Sequence, residues 1–527
     1  MKLFECAMDR SKELNEIKEQ GTKWDVVIIG GGASGLGAAI DSVTRGFKTL
    51  LLEQADFTKG TSSRSTKLVH GGVRYLAQGN VALVLEALRE RGLMKKNAPH
   101  LVKDQCFIIP AYRWWEKPFY TVGLTLYDWL AGRLGLGRSF PCAKKKTLEK
   151  IPTLVSEDLR GGIVYHDGQF DDSRLAVNMV QTVKDHGGTI LNYMKVVGLQ
   201  KEDGKISGVV TVDQETGAEY VIRARAVLNA TGVFVDDILR MDDPEARDIV
   251  RPSQGVHLVL DKEFVPGDHA VMIPKTSDGR VLFAIPWHDK VVVGTTDIQK
   301  EKAELEPTAL EQEVDFILET LGRFLKKAPS RSDVRSVFAG LRPLAAPTNG
   351  DKKTKEISRG HRVVVSGSNL VTIIGGKWTT YRQMAEDSID KLIEVAGLPS
   401  RKSVTHSLPI HGYREVHGQQ GPLSFYGSDE DALLDLIRED PELGEPLGSE
   451  MNIIKAQVVW AVREEMARTV EDFLARRSRA LFLDARESLN MAAEVARIMA
   501  RELGKDPAWE ADQVADYTRL AKNYLLS

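Results

Sequence analysis

The chain has 527 residues, of which 42% are hydrophobic and 28% charged, an ordinary composition for a globular protein. Lys and Arg (71) nearly balance Asp and Glu (74), giving a formal charge of -3, whereas nucleic-acid-binding proteins usually carry a strong basic excess. The three cysteines form no CxxC pair, and no HxxxH, HExxH or clustered-carboxylate motif occurs, so we expect no metal site. No run approaches about 18 apolar residues, so no membrane-spanning helix is predicted.

Residues 1–22 are polar and contain several acids, unlike a signal peptide or an acid-poor transit peptide, and we interpret them as an N-terminal extension, ordered or frayed. The sequence DVVII at 25–29 is a β-branched apolar run typical of a strand buried on both faces. GGGASG follows at 30–35, then helix-like sequence at 36–44 and a second strand at 49–52. This order matches the GxGxxG dinucleotide-binding motif.

Each part of the motif has a physical role. Gly30 permits the tight turn, Gly32 lets the backbone approach a pyrophosphate, and Gly35 allows close packing of helix on strand. The helix N-terminus offers free N–H groups to the phosphates. Glu53 follows the second strand, where a carboxylate accepts ribose hydroxyls and disfavours the 2'-phosphate of NADP.

Two other glycine-rich segments do not qualify as nucleotide sites. GLG at 135–137 has no preceding strand and no third glycine. GGK at 375–377 lacks the first glycine and the Ser or Thr of a phosphate loop. A single dinucleotide site favours a tightly held flavin nucleotide without a separate NAD domain.

The sequence TSSRSTKLVHGGVRYL at 61–76 resembles the segment that runs under the flavin in FAD-dependent glycerol-3-phosphate dehydrogenases of the aerobic, respiratory type. From about Trp24 to Ala515 the chain follows that family's order of landmarks. They are LNATG (228–232), GTTD (294–297), GLRPL (340–344), GGKWTTYR (375–382) and TVEDFLARR (469–477). The calcium-loop pattern DxDxDG of mitochondrial relatives does not occur, which favours the bacterial form.

The resemblance implies an α/β fold. A Rossmann-like FAD-binding domain is expected to be interleaved with a mixed-sheet substrate domain over residues 23–398, followed by an all-helical C-terminal domain over 399–527. Buried-strand patterns at 226–230 and 370–374 support a return of the chain to the nucleotide-binding sheet.

Helical patterns dominate the C-terminal domain. Apolar residues at every fourth position predict one helix stripe: Val458, Val462, Met466, Val470 and Leu474. Asp484 and Glu487 resemble a capping box, and Gly504 resembles a helix stop. Asp506 followed by Pro507 predicts the start of a last helix.

The motif and the resemblance together imply bound FAD. The implied contact residues are Gly30, Gly32, Ala33, Ser34, Gly35, Glu53, Thr61, Ser62, Ser65, Lys67, Leu68, His70, Gly72, Thr231, Gly232, Gly376, Lys377, Trp378 and Thr379. In this family the helix that opens after the 375–376 glycine turn presents its positive end to the flavin pyrimidine ring. Lys377 would stabilise negative charge there. The alternative reading of Lys377 is a surface lysine on a loop.

The family oxidises sn-glycerol 3-phosphate to dihydroxyacetone phosphate by hydride transfer from C2 to FAD. A dianionic phosphate needs cations, preferably arginines that bind it bidentately, and the candidates are Arg74, Arg342 and Arg359. Arg342 lies among apolar residues, an unfavourable place for a charge without a partner. Three arginines and Lys377 suit a phosphate better than a single carboxylate.

Removal of the hydroxyl proton needs a general base, most naturally a histidine. His257 is the candidate for this base or for a substrate hydrogen-bond donor, with a structural histidine as the alternative, whereas His70 more naturally orders the turn under the flavin. The predicted catalytic residues are His257, Arg342, Lys377 and Arg74. The predicted substrate-binding residues are Arg74, Tyr75, His257, Arg342, Arg359, Lys377 and Thr380.

The segment 111–146 mixes Trp114, Trp115 and Trp129 with seven basic residues and only two acids, a composition typical of a membrane-interfacial segment. The alternative is a buried aromatic cluster beside a solvated basic loop. Because family members reduce quinone at the bilayer surface, we expect a quinone acceptor. The expected location is cytoplasmic and peripheral, on the inner face of the cell membrane, and a homodimer is compatible with the sequence.

Three other functions stay open. A peroxide-forming glycerol-3-phosphate oxidase would give its electrons to oxygen, and a related flavin oxidoreductase would act on amino or 2-hydroxy acids. A non-catalytic flavin-binding protein would be expected to lack His257, Arg342 or Lys377, which are all present.

Overall fold

The computed structural model describes residues 8–19, 22–73, 76, 79–277, 279–346, 360–416 and 421–526. The strands, in chain order, are β1 (Lys23–Ile29), β2 (Thr49–Leu52), β3 (Leu68–Val69), β4 (Val102–Ala111), β5 (Phe140–Cys142), β6 (Gly161–Phe170), β7 (Thr189–Leu191), β8 (Met194–Glu202), β9 (Lys205–Asp213), β10 (Glu219–Asn229), β11 (Val250–Asp261), β12 (Ala270–Ile273), β13 (Leu282–Trp287), β14 (Lys290–Gly294), β15 (Ile298–Gln299), β16 (Val334–Ala345), β17 (His361–Val365) and β18 (Val371–Gly375).

The α-helices are numbered in the same way. They are α1 (Arg10–Lys18), α2 (Ala33–Thr44), α3 (Val81–Asn97), α4 (Glu116–Ala131), α5 (Lys144–Lys150), α6 (Asp172–Asp185), α7 (Val235–Asp242), α8 (Glu311–Gly322), α9 (Tyr381–Ala396), α10 (Glu430–Glu439), α11 (Lys455–Glu464), α12 (Ala480–Leu483), α13 (Ala485–Leu503) and α14 (Pro507–Ala521).

The first sheet, called the nucleotide sheet below, runs in the order β17–β18–β10–β1–β2–β7. β1 lies between β10 and β2 and is parallel to both, with Ile28 opposite Leu228 and Leu51. β18 is parallel to β10, and the hairpin β8–β9 continues the sheet beside β10. Val26 and Val27 are fully buried, as expected of a strand covered on both faces. All four strands predicted for this sheet are confirmed.

The second sheet, called the substrate sheet below, runs in the order β15–β11–β14–β13–β12–β4–β6–β3, with β16 beside β11 and β5 beside β6. It is mixed, because β12 is parallel to β4 while the other pairs are antiparallel. β11 and β16 pair along nearly their whole length, with Ser253 opposite Arg342 and His257 opposite Phe338. Strands of the two sheets alternate along the chain, which confirms the predicted interleaved α/β arrangement.

Helices α2, α6 and α9 cover the nucleotide sheet and share one apolar core with it. Leu36, Leu175 and Ile389 are fully buried in that core. Helix α1 belongs to the predicted N-terminal extension, and its Arg10 forms a buried 2.8 Å ion pair with Asp213. The part of the extension that is described is therefore packed onto the nucleotide sheet, while residues 1–7 and 20–21 lie outside the described residues.

The helices from residue 430 onward share an apolar core, as predicted for a helical C-terminal domain, and this core continues onto the substrate sheet through Val259, Val292 and Phe338. The predicted stripe from Val458 to Leu474 is buried, but the prediction of one continuous helix is wrong. α11 ends at Glu464, and Met466 has a φ of +53°. The Asp472 carboxylate then accepts the N–H groups of Arg468 and Thr469 and holds a second, irregular turn.

The boundaries predicted for the last two helices are confirmed with one correction. Asp484 caps α13 by accepting the N–H groups of Arg486 and Glu487. Glu487 does not complete a capping box, because its carboxylate accepts the N–H of Ser449 in a neighbouring loop instead. Gly504 ends α13 with a φ of +63°, and α14 begins at Pro507.

Helix α4 presents an apolar face to solvent. Trp129 is 78% exposed, and Phe119, Val122 and Leu126 are exposed beside it. This outer face is extended by Trp114 and Trp115, which are exposed just before the helix begins. The opposite face, with Leu124 and Tyr127, is buried against the substrate sheet and α3. The alternative of a buried aromatic cluster in this segment is therefore wrong. Among the described residues, no helix combines the length and apolar character needed to cross a membrane.

Candidate active site

The glycine turn after β1 is closely packed. Gly30 has a φ of +108°, and a Cβ there would lie 2.7 Å from the carbonyl oxygen of Ala230. A Cβ on Gly35 would lie 1.9 Å from the carbonyl oxygen of Gly30, so only glycine lets α2 start this close to β1. Gly32 precedes α2 without a side-chain cap, and the positive end of the helix faces the space in front of the turn.

Glu53 ties this turn to the end of β2. Its carboxylate accepts hydrogen bonds from the N–H groups of Gly31 (2.6 Å) and Ala55 (3.0 Å). Burial raises the pKa of Glu53, and these N–H groups partly oppose the rise. The acid thus fixes the glycine turn, and its predicted contact with a ribose stays a prediction.

A cavity of about 370 Å³ lies where the carboxyl ends of β1, β2, β10 and β18 meet. Most of its wall comes from four loops, at 30–34, 53–62, 230–234 and 375–378, and residues of β8 and α7 contribute as well. Ligands of open parallel sheets bind at this edge. The glycine cradle, the positive end of α2 and the Glu53 carboxylate are the groups that the pyrophosphate and ribose of a flavin dinucleotide require.

Side chains connect the loops on the two sides of the cavity. The indole N–H of Trp378 donates to the Ser62 carbonyl oxygen at 2.8 Å. The His70 N–H donates to Thr379 Oγ1 at 3.2 Å. The segment 61–70 therefore lies against the turn that opens α9.

Arg342 lies at the border between the substrate sheet and the cavity. Its Nη2 donates to Thr295 Oγ1 at 2.9 Å, and its Nη1 is 3.8 Å from the Asp297 carboxylate. The side chain is 24% exposed, and the next residue, Pro343, lines the cavity. A partly exposed guanidinium in this position can reach an anion at the cavity mouth.

His257 is buried on β11, four residues after Ser253, which pairs with Arg342 on β16. The side chains of His257 and Arg342 therefore lie on the same face of the sheet. Its Nε2 lies 2.9 Å from Thr66 Oγ1, and its ring stacks on Phe338 at 4.9 Å. Nδ1 has no hydrogen-bond partner among the described residues. Burial, with the positive charges of Arg342 and Lys67, holds the pKa of His257 well below its usual value, so the imidazole is neutral.

Comparison with known proteins connects this geometry to a family. Residues 25–382 match the family model described as FAD dependent oxidoreductase, and residues 367–510 match the C-terminal domain of alpha-glycerophosphate oxidase. The chain is 38% identical to the mitochondrial glycerol-3-phosphate dehydrogenases of Schizosaccharomyces pombe, over 95% of this chain and 87% of that protein, and of Homo sapiens, over 96% and 74%. The X-ray structure of glycerol-3-phosphate dehydrogenase from Bacillus halodurans, complexed with FAD, matches with a TM-score of 0.79 at 30% identity, over 98% of both chains.

The chain belongs to the FAD-dependent glycerol-3-phosphate dehydrogenase family. FAD is therefore its cofactor, and the cavity carries the groups that a flavin dinucleotide requires. The predicted FAD contacts that line the cavity are Gly30, Gly32, Ala33, Ser34, Glu53, Thr61, Ser62, Thr231, Gly232, Gly376, Lys377 and Trp378. The predicted contacts that are not among its lining residues are Gly35, Ser65, Lys67, Leu68, His70, Gly72 and Thr379.

Lys67 and Ser65 have structural partners in this family member. Lys67 is fully buried, and its ammonium group lies 2.8 Å from both Asp172 carboxylate oxygens and 2.7 Å from the Ser63 carbonyl oxygen. Ser65 Oγ donates to the same carboxylate at 2.7 Å. These contacts fix the loop between the sheets, and a direct contact of the two side chains with FAD stays a prediction.

The predicted substrate residues fall into four groups. Arg342 and His257 lie on one face of the substrate sheet, and Lys377 lines the cavity. Thr380 is buried, and its hydroxyl donates to the Lys377 carbonyl oxygen at 3.3 Å. The rest, Arg74, Tyr75 and Arg359, lie outside the described residues.

Sequence reasoning missed several lining residues. Thr58, Lys59 and Gly60 lie in the loop that follows Glu53, so their position after a nucleotide-sheet strand could have indicated them. Met194 and Leu305 carry no such signal, because only the tertiary fold brings them to the cavity.

Proposed function

We propose that the protein oxidises sn-glycerol 3-phosphate at C2 to dihydroxyacetone phosphate and passes the electrons to a membrane quinone. The observation that carries the proposal is the position of Arg342, a partly exposed guanidinium beside the FAD cavity in a chain of this family. Arginine binds a phosphate dianion bidentately. Arg359 and Arg74 are proposed to complete the phosphate site.

His257 is proposed to receive the proton of the C2 hydroxyl. A base must be neutral before it accepts a proton, and the low pKa of His257 keeps it neutral. The positive charge of Arg342 contributes to that low pKa, so a bound phosphate dianion would offset this effect and make the imidazole more basic. Substrate binding and proton acceptance are thereby linked through one arginine.

Bound FAD supplies the hydride acceptor. Lys377 lines the cavity just before the turn that opens α9, so its charge and the positive end of that helix can stabilise negative charge in the cavity. Thr380 supports this turn through its hydrogen bond to Lys377, and its proposed contact with substrate stays a prediction.

The outer face of α4 is proposed to lie on the inner face of the cell membrane. Trp114, Phe119, Val122 and Trp129 are each more than half exposed on this face. The exposed basic residues of the same segment are Arg113, Arg133, Arg138, Lys144, Lys145 and Lys146. Aromatic rings at headgroup depth with cations on anionic lipid are typical of a peripheral membrane contact, which would bring the protein to its quinone.

The test is anaerobic mixing of the purified yellow protein with glycerol 3-phosphate while the visible flavin band is recorded. We expect prompt bleaching, with recovery faster on addition of a ubiquinone analogue than on addition of air. Recovery mainly by oxygen would identify an oxidase. Failure of glycerol 3-phosphate to bleach bound flavin would refute the proposed substrate and direct the search to amino and 2-hydroxy acids.

A further inference from the structure

The loop that follows Glu53 is held by the C-terminal domain. Asp56 is fully buried, and its carboxylate accepts hydrogen bonds from Arg476 Nε and Arg477 Nη1. Three residues later, Lys59 Nζ donates to Glu471 at 2.7 Å. All three C-terminal partners belong to the 469–477 turn, more than 400 residues away in the sequence.

The same loop forms part of the FAD cavity. The Thr58 N–H donates to the Gly31 carbonyl oxygen at 3.0 Å, which joins the loop to the glycine turn. Lys59 and Gly60 line the cavity wall. The C-terminal domain is therefore in direct contact with a loop that lines the cavity, although it supplies no lining residue among those described.

The contact between the 56–60 loop and the 469–477 turn is made by charged side chains that are buried away from water. Arg476 is 2% exposed and also donates to Glu471 and Asp472, at 2.8 Å each. Burial raises the pKa of Asp56, but the two guanidinium groups outweigh this and hold it below its usual value. Loss of one partner leaves a buried charge uncompensated, so a broken pair is expected to move the loop.

We propose that the 469–477 turn is a positioning element for the 56–60 loop, and that retention of FAD depends on it. The C-terminal helical domain would then be a cofactor-retaining element and not only a stabilising cap. The family assignment supplies FAD as the cofactor, so this inference does not depend on the substrate or the electron acceptor.

The test compares two ion pairs between the domains, one made by the 469–477 turn and one made by Arg468 just before it. Glu471→Gln removes the negative charge that binds both Lys59 and Arg476, and the Glu471 side chain is 18% exposed. The matched control is Arg468→Gln, because Arg468 is 21% exposed and binds Glu215, which does not line the cavity. Arg476→Lys is a second test variant. It keeps the positive charge but loses the planar guanidinium that donates to several carboxylates at once.

Release of FAD is followed by the rise in flavin fluorescence after dilution of each holoenzyme, and unfolding is followed by circular dichroism. We expect Glu471→Gln and Arg476→Lys to speed FAD release by about tenfold or more, below the temperature of unfolding. Arg468→Gln should release FAD at the parent rate. Parent-like release from both test variants, or equal acceleration in the control together with earlier unfolding, would overturn the proposal.

Discussion

The guanidinium of Arg342 occupies the space above Gly255 on the neighbouring strand. A Cβ at position 255 would lie 2.3 Å from Arg342 Nη2 and 2.6 Å from Thr295 Oγ1, both closer than a carbon atom can approach. The missing side chain of Gly255 is thus what lets Arg342 lie beside Thr295 at the mouth of the cavity.

Gly255→Ala is expected to displace Arg342 and weaken phosphate binding. We expect KM for glycerol 3-phosphate to rise about tenfold, on the order of 1.4 kcal/mol, with the bound FAD unchanged. Steady-state kinetics and the flavin absorbance of the purified variant measure the two quantities. Gly198→Ala is the control, because a Cβ there would lie 3.6 Å from its nearest neighbour, an ordinary contact. An unchanged KM in Gly255→Ala would show that Arg342 does not bind the phosphate.

The nucleotide half of the site was predictable because local constraints determine it. A Cβ on Gly30 or Gly35 would lie only 2.7 or 1.9 Å from a neighbouring backbone atom, so only glycine fits at these two positions. Such crowding can therefore be recognised from the sequence motif. Arg342 was predictable for a related reason, since a charge among apolar residues needs a partner or a ligand.

The rest of the site depends on contacts between distant segments. Nothing near Lys67 in the sequence indicates that Asp172 will bind its ammonium group. Likewise, the spacing of Val458 to Leu474 satisfies a helix, whereas the turn at Met466 follows from the way Asp472 binds backbone N–H groups. The spacing of apolar residues indicates which positions are buried, but it does not indicate where a helix is interrupted.

His257→Asn is expected to slow flavin reduction by glycerol 3-phosphate by roughly 10²–10⁴-fold, the usual contribution of a general base. Stopped-flow absorbance measures this rate, and the exposed residue His406 provides the control variant His406→Asn. A reduction rate equal to the parent would assign His257 a structural role.

The pH profile tests the state of the same histidine. Because burial and the nearby cations hold the pKa of His257 well below its usual value, the residue stays neutral as the pH falls through about 6.5, the ordinary histidine value. We therefore expect kcat/KM to show no acid limb from His257 near pH 6.5. An acid limb near that pH that vanishes in His257→Asn would contradict the depressed pKa.

Removal of apolar side chains from the outer face of α4 should weaken membrane binding. The double variant Val122→Ser, Trp129→Ser removes two side chains that are 72% and 78% exposed, so the fold should not change. We expect vesicle affinity to fall at least about tenfold, since each buried apolar side chain contributes roughly 1.5–3 kcal/mol. Flotation with vesicles containing anionic phosphatidylglycerol measures binding, and activity with a water-soluble dye should stay at the parent level.

Val221→Ser is the control for this experiment, because Val221 is 59% exposed on β10 of the nucleotide sheet. Equal flotation of the double variant and the control would place the membrane contact elsewhere. Loss of dye-linked activity in the double variant would instead indicate damage to the active site.

His411 joins the C-terminal domain to helix α6 through a pH-sensitive contact. Its ring nitrogens bind Asp185 at the end of α6 (2.6 Å) and Asp429 before α10 (3.0 Å). Burial lowers the pKa of His411, but the two carboxylates outweigh it and raise the pKa to about 9. Since the unfolded value is about 6.5, protonation of His411 stabilises the fold fully below pH 6.5, and this contribution is lost as the pH rises through about 9.

Protonation of His411 contributes roughly 3 kcal/mol to the unfolding free energy, at about 1.4 kcal/mol for each pH unit between its unfolded and folded pKa values. We therefore expect the unfolding free energy of the parent protein to fall between pH 6.5 and 9, and that of His411→Gln to fall by less over the same interval. Urea denaturation at several pH values measures the difference, with the exposed His406→Gln as control. Parallel curves for the parent and His411→Gln would show that the contact with Asp185 and Asp429 contributes no pH-dependent stability.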